Sequence, residues 1–332
     1  MNTSAFDNHN GTLALASGSY QANVQFTNTG WLVGYGSFNS SVALVNKGTI
    51  DANLGNKNTP LVLNSDLVNS VNGTVRADSS AIQINGVFTN NGTLQFISSV
   101  GTYSQTVLDN GAWNTYGGSS NIFAANFVIT TNGYVNATSG DRYIFHGDLL
   151  NQSTNNNSWN TLNVSVGTNS AGDGTQFIFS GTGLASTQTF YTTGLLLTNG
   201  FNGIAATSNA VQDTLGYAEG FSNNFAVGQV WLTNTTLVLA QAPGMLETNG
   251  ALFVNSLYLF DNAHLIISND MTVYFANSNG WNMSDITLWG NAQIHQLTNL
   301  NSLMVIPEPN VLLMWLCGGI TVWAARRRRN RV

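Results

Sequence analysis

Val45-Asn46-Lys47-Gly48-Thr49-Ile50 places an apolar residue, an amide, a glycine, a threonine and a second apolar residue in a short run. The order returns at Val71-Asn72-Gly73-Thr74-Val75, Asn90-Asn91-Gly92-Thr93-Leu94, Leu108-Asp109-Asn110-Gly111-Ala112-Trp113 and Thr131-Asn132-Gly133-Tyr134-Val135. Its glycines stand 25, 19, 19 and 22 residues apart. Self-similarity at that period points to a solenoid, in which each unit buries its apolar face only against its neighbours. A second form relates Leu257–Leu265 to Ile286–Ile294 at an offset of 29, through the shared segments Asn262-Ala263 and Asn291-Ala292. Thr198-Asn199-Gly200 and Thr248-Asn249-Gly250 belong to the same set.

Between the corners lie short β-branched or aromatic runs: Ser41–Val45, Phe127–Ile129, Gln176–Phe179 and Thr236–Leu239. Each is too short for a helix, and no amphipathic helical pattern appears before residue 300. Asn and Gly at their ends accept the positive φ expected of tight corners. The pattern predicts an all-β fold, a right-handed parallel β-helix over residues 1–300. Coils stacked at about 4.8 Å would give on the order of 12 to 14 turns and a rod roughly 60 Å long. Asn repeating at one corner would stack into amide ladders, each side chain bonding the next coil. A sandwich with Greek-key pairing is the alternative, and strand order separates the two. Residues 150–225 are the least regular, and Asn155–Asn157 and Ala171–Gly174 read as long loops between coils.

Composition agrees with a folded β protein. Charged residues are 7% of the 332, against roughly a quarter in ordinary soluble chains, and 47 asparagines and 34 glycines fill the space. Hydrophobic residues at 43% and aromatics at 11% exclude a disordered chain. The net charge is −6, and before Pro307 the only basic residues are Lys47, Lys57, Arg76 and Arg142. The body therefore offers no phosphate-binding groove, and nucleic acid is not an expected partner. Cys317 is the single cysteine, so no disulfide forms within the chain. The first ten residues have neither a basic region nor an apolar run, so an export signal is expected upstream of Met1.

Catalytic chemistry has one place to sit. In Asp141-Arg142-Tyr143-Ile144-Phe145-His146-Gly147-Asp148, strand alternation puts Arg142, His146 and Asp148 on one face and Asp141, Tyr143 and Phe145 on the other. Arg, His and Asp together suit acid–base work, although a surface ion pair beside a solvated histidine needs the same residues. His9, His264 and His295 are isolated and read as exposed. Asp173 lies between glycines, but the calcium-binding nonapeptide repeat is absent. Asn72-Gly73-Thr74 and Asn136-Ala137-Thr138 are acceptor triplets of the kind that arise by chance in such a composition. No zinc motif, phosphate-cradling loop or nucleophile elbow is present, and no cofactor or metal is expected.

The chain ends differently. Residues 301–310 form a linker carrying Pro307-Glu308-Pro309, in which the prolines break a strand. Val311–Ala325 is a charge-free apolar run of fifteen residues, shorter than the roughly 17 that usually span a bilayer. Residues 326–332 are a basic tail led by Arg326, Arg327, Arg328 and Arg329, expected to stay cytoplasmic. The three parts in this order resemble the PEP-CTERM sorting signal of Gram-negative bacteria. Asn310 departs from the Ser, Ala or Thr frequent there. The body resembles the passenger-like repeats of adhesins and autotransporters over about residues 10–300. The sorting resemblance implies an exosortase-type transpeptidase as partner, transient residence of the helix 311–325 in the inner membrane, cleavage near Pro307–Pro309, and delivery to the cell surface or extracellular matrix. The expected function is that of a non-enzymatic structural protein associated with exopolysaccharide. The alternative is a surface polysaccharide lyase or hydrolase using Arg142, His146 and Asp148, and a plain C-terminal anchor is the simpler reading of the tail.

Overall fold

Strands of three to five residues cannot pair within themselves, so their backbone groups must be met by neighbouring coils. The computed structural model describes residues 6–297 except 54, 165, 168–173, 182, 184–185, 195–220, 222–223 and 245–249. Every ladder between its strands is parallel. One sheet holds 12 strands, one from each coil, which sets the rod at about twelve turns, or roughly 55 Å. The fold is thus an all-β parallel solenoid, and among the described residues no strands pair in the antiparallel manner of a Greek key.

A regular coil has three sides. Leu67–Asn69, Thr74–Asp78 and Ala81–Ile84 make one turn, and Phe88–Asn90, Thr93–Ile97 and Val100–Tyr103 make the next. Each pairs in register with its counterpart, as in Leu67 with Phe88, Val75 with Leu94 and Ile84 with Tyr103. Alternate residues of these strands point inward and are buried: Leu67, Asn69, Val75, Ala77, Ile82 and Ile84 in the first turn, and Phe88, Asn90, Leu94, Phe96 and Tyr103 in the next. Aromatic side chains climb the interior: Tyr103 to Phe123 at 5.0 Å, Phe123 to Phe145 at 5.3 Å, Phe145 to Phe179 at 4.9 Å and Phe179 to Phe190 at 5.7 Å. Each buried Phe or Leu contributes about 1.5–3 kcal/mol by its removal from water, and register makes the column continuous.

The expected amide ladder is present, and it is internal. Asn28, Asn46, Asn69 and Asn90 are fully buried. Asn28 Nδ2 donates to Asn46 Oδ1 at 2.7 Å, Asn46 to Asn69 at 2.7 Å, Asn69 to Asn90 at 2.8 Å and Asn90 to Asp109 at 2.7 Å. Asn8 feeds the column from below. A second, exposed ladder joins Asn85 to Asn64 at 2.6 Å and Asn64 to Asn39 at 2.7 Å. A third corner uses hydroxyls and an acid: Ser99 N donates to Ser119 Oγ at 3.1 Å and Ser119 N to Asp141 Oδ1 at 2.7 Å.

The repeat glycines have the predicted spacing for a different reason. Thr49, Thr74, Thr93, Ala112 and Tyr134 occupy one register, each directly after a repeat glycine. None of Gly48, Gly73, Gly92, Gly111 and Gly133 has a positive φ. A Cβ on Gly92 would lie 2.3 Å from Gly73 O, and one on Gly111 2.2 Å from Gly92 O. These glycines are required by close approach of coil on coil. Left-handed backbone falls instead at the next corner, on Ser79, Ser98, Gly117, Gly118 and Gly140.

The offset of 29 is likewise not a coil repeat. Leu265 pairs with Ile286 and Val273 with Ile294, both 21 residues on. Leu257–Leu265 turns one corner of the triangle and Ile286–Ile294 turns the following one, so similar corner chemistry was matched one side out of step. Within residues 150–225, Gln176–Ser180 and Thr187–Thr192 keep the stack, while a 3-10 turn at Asn156–Ser158 precedes the single bridges Asn136–Asn160 and Thr161–Val227. Asp173, Thr198–Gly200, Cys317, Pro307–Pro309, the run 311–325 and Arg326–Arg329 lie outside the described residues. Among the described residues no helix is long and apolar enough to cross a membrane.

Candidate functional site

Arg142, His146 and Asp148 enter the structure through the strand Arg142–Phe145 and the corner after it. Tyr143 and Phe145 are buried, so Arg142 and Ile144 face outward, as alternation requires. Asp141 is fully buried too and accepts from Ser119 N and Thr138 N, both at 2.7 Å.

The trio does not converge. The strand ends at Phe145, because Gly147 turns the corner where a Cβ would meet the Ala125 backbone at 2.5 Å. His146 is exposed beside Ser180, its Nδ1 3.1 Å from Ser180 Oγ. Arg142 and His146 are separated by four residues of extended chain, about 13 Å along the backbone. Asp148 lies past the corner, and its Oδ1 accepts from Thr189 N at 2.7 Å while its own N–H donates to Asn126 Oδ1 at 2.9 Å. Its carboxylate is a corner brace, which corrects the expectation of one shared face. Among the described residues no three His, Cys, Asp or Glu side chains are grouped to hold a metal. Of the isolated histidines, His9 and His295 are exposed, but His264 is half-buried with Nε2 2.9 Å from Thr287 Oγ1.

What the strand does belong to is an outward column. Thr102, Ile122, Ile144, Ile178, Trp231 and Tyr258 are successive register partners. Ile122, Ile144, Ile178 and Trp231 are half-buried on the outside of the sheet. Trp231 packs against Tyr258 at 4.7 Å and Phe260 at 5.5 Å. Polar columns border it: Ser120, Arg142 and Gln176 on one side, leading to the buried Gln229, and His146 and Ser180 on the other. The half-buried apolar strip runs through four rungs, roughly 14 Å, and ends against the buried Tyr258. Such a surface can hold an extended chain that has flat apolar faces and hydroxyl edges.

Residue-by-residue reading passed over this column, although the signal is there. Asn121-Ile122-Phe123, Tyr143-Ile144-Phe145, Phe177-Ile178-Phe179 and Val230-Trp231-Leu232 carry apolar residues at adjacent positions, so both faces of those strands are apolar. The one ion pair among the described residues, Arg76 Nε to Asp51 Oδ2 at 2.7 Å with Arg76 5.2 Å from the Trp31 ring centre, lies on another side of the rod. No family model, curated protein or solved structure matches the chain.

Proposed function

We propose that this chain is a non-enzymatic structural protein of a bacterial cell surface or extracellular matrix, wound as a right-handed β-helix and sorted through its C-terminal signal. The observation that carries the reading is a rod whose coils are fastened rung to rung by buried amides, with a long apolar strip edged by amides and hydroxyls on its outside. That surface suits lateral contact with a hydrated polysaccharide: sugar C–H faces lie on Ile144, Ile178 and Trp231, and hydroxyls meet Arg142, Gln176 and Ser180. The enzymatic alternative loses support because Asp148 is engaged with backbone and Arg142 and His146 stand apart.

The tail supplies the route. Pro307-Glu308-Pro309 is recognised by an exosortase-type transpeptidase while residues 311–325 sit briefly in the inner membrane, with Arg326–Arg329 in the cytoplasm. Mass spectrometry of the mature protein from its host tests this: everything beyond the Pro307–Pro309 region should be absent. An intact arginine tail on surface protein refutes sorting. Co-sedimentation with the host's exopolysaccharide tests the body, and no difference between wild type and Trp231→Ala refutes the strip as the contact.

A further inference from the structure

The buried amide column has a direction, and its last member is of a different kind. From Asn28 to Asn90 each Nδ2 donates upward to the next Oδ1. Each also donates to a backbone carbonyl of the following coil: Asn28 to Thr49 at 3.0 Å, Asn46 to Thr74 at 3.0 Å, Asn69 to Thr93 at 3.3 Å and Asn90 to Ala112 at 3.3 Å. An amide suits this place because one nitrogen carries two hydrogens and the oxygen receives one.

Asp109 ends the column. It is fully buried, and its Oδ1 takes the Asn90 bond. Its register partner above is Ile129, which offers no acceptor, so only one of the two amide hydrogens has lost its use. The carbonyl matching Thr49, Thr74, Thr93 and Ala112 is that of Tyr134. With Oδ1 taken by Asn90, Oδ2 is the atom left for the place of the missing nitrogen, and it is buried without a hydrogen-bond partner. A carboxylate would set a negative oxygen without a partner in a dry interior, which is costly without a paired cation. A carboxylic acid carries the one hydrogen that the place needs.

We propose that Asp109 is a neutral carboxylic acid in the folded rod, standing in for the next asparagine of the column, and that loss of its proton to solvent loosens the column's upper end. Burial holds the carboxyl well above the ordinary carboxylate range, against the weaker opposite pull of the Asn90 and Gly111 N–H groups. The titratable groups that sense its charge are Tyr103, Tyr134 and Tyr143, on three different strands, and none is a cation. In the unfolded chain an aspartate titrates near about 3.9. The folded state therefore keeps a proton that the unfolded state releases above that pH. The stabilisation is complete below pH ~3.9 and is lost as pH rises toward the folded value, the unfolding constant growing by up to about tenfold per pH unit.

The test uses the full chain and Asp109→Asn. Infrared spectra at pH 7 should show the carbonyl band of a protonated carboxyl in the wild type and not in Asp109→Asn. Urea unfolding between pH 4 and 8 should show the wild-type constant rising relative to the variant by up to about tenfold per unit. A band missing from the wild type, or retained in the variant, overturns the proposal. So do parallel pH profiles. A variant that fails to fold also overturns it, because an amide supplies the same donor to the same carbonyl.

Discussion

Gly92→Ala separates two reasons for a glycine. The φ of Gly92 is not left-handed, so an alanine there has an unstrained backbone. Restricting the unfolded chain would then stabilise the rod by about 0.4–1 kcal/mol. The added Cβ, however, lies 2.3 Å from both Gly73 O and Ser70 O and 2.9 Å from Asn69 Nδ2, where ordinary contact begins at 3.4 Å. Two of those atoms are backbone, so relief requires the coils to part by about 1 Å against the spacing of roughly 4.8 Å set on all three sides. Thr93 N to Gly73 O, now 3.0 Å, is the first bond to stretch. Overpacking of this kind costs about 1–3 kcal/mol and a weakened bond about 0.5–1.5 more. Less the chain-restriction gain, the net is a loss of about 0.5–4 kcal/mol. Gly18→Ala is the control, because Gly18 also has no left-handed φ and nothing lies within 4 Å of its added Cβ. It should be neutral or stabilise by up to about 1 kcal/mol. Equilibrium urea unfolding followed by circular dichroism measures both, fitted with nearest-neighbour coil terms since coils contact only their neighbours. Gly92→Ala at or above wild-type stability would refute the close-approach account.

Asn69→Ala removes the bonds that Asn69 makes to Asn46 below and to Asn90 and Thr93 O above, leaving one Asn46 Nδ2 hydrogen and Asn90 Oδ1 without a partner; it should cost about 2–4 kcal/mol by the same urea assay. Asn85→Ala, in the exposed ladder where water replaces the amide, should cost under about 1 kcal/mol. Arg76→Ala leaves the buried Asp51 carboxylate short of its partner. It should lower the thermal midpoint by an amount that shrinks with added salt, since Arg76 is 40% exposed. Arg142→Ala/His146→Ala should leave any polysaccharide cleavage by the purified protein unchanged, and a loss of measured cleavage would restore the enzymatic reading.

The solenoid was legible because its construction repeats in chemistry as well as in hydropathy. Close approach admits only glycine, and an internal rung that must both donate and accept selects asparagine, so the column prints the coil period directly into the chain. The spacing of Gly48, Gly73, Gly92, Gly111 and Gly133 therefore gave the register correctly even though a positive φ was the wrong cause. The offset of 29 misled for a related reason. A triangular coil has three corners with similar demands, and Asn262-Ala263 and Asn291-Ala292 answer them at different corners.

The outward face was less legible because its information lies across coils. Ile122, Ile144, Ile178 and Trp231 are 22, 34 and 53 residues apart in the chain, and only the register makes them neighbours. Reading Arg142–Asp148 as one continuous strand failed at Gly147, whose contact with Ala125 belongs to the coil below and cannot be inferred from the segment alone. The same limit explains Asp109. Within Leu108-Asp109-Asn110-Gly111 it looks like one more corner residue, and its meaning appears only when Asn90 is placed beneath it and Ile129 above. In a solenoid, a residue's chemistry is set by the residues one period away. An acid at that rung therefore behaves as the terminus of a column of amides, and the charge it would carry on a surface corner is withheld.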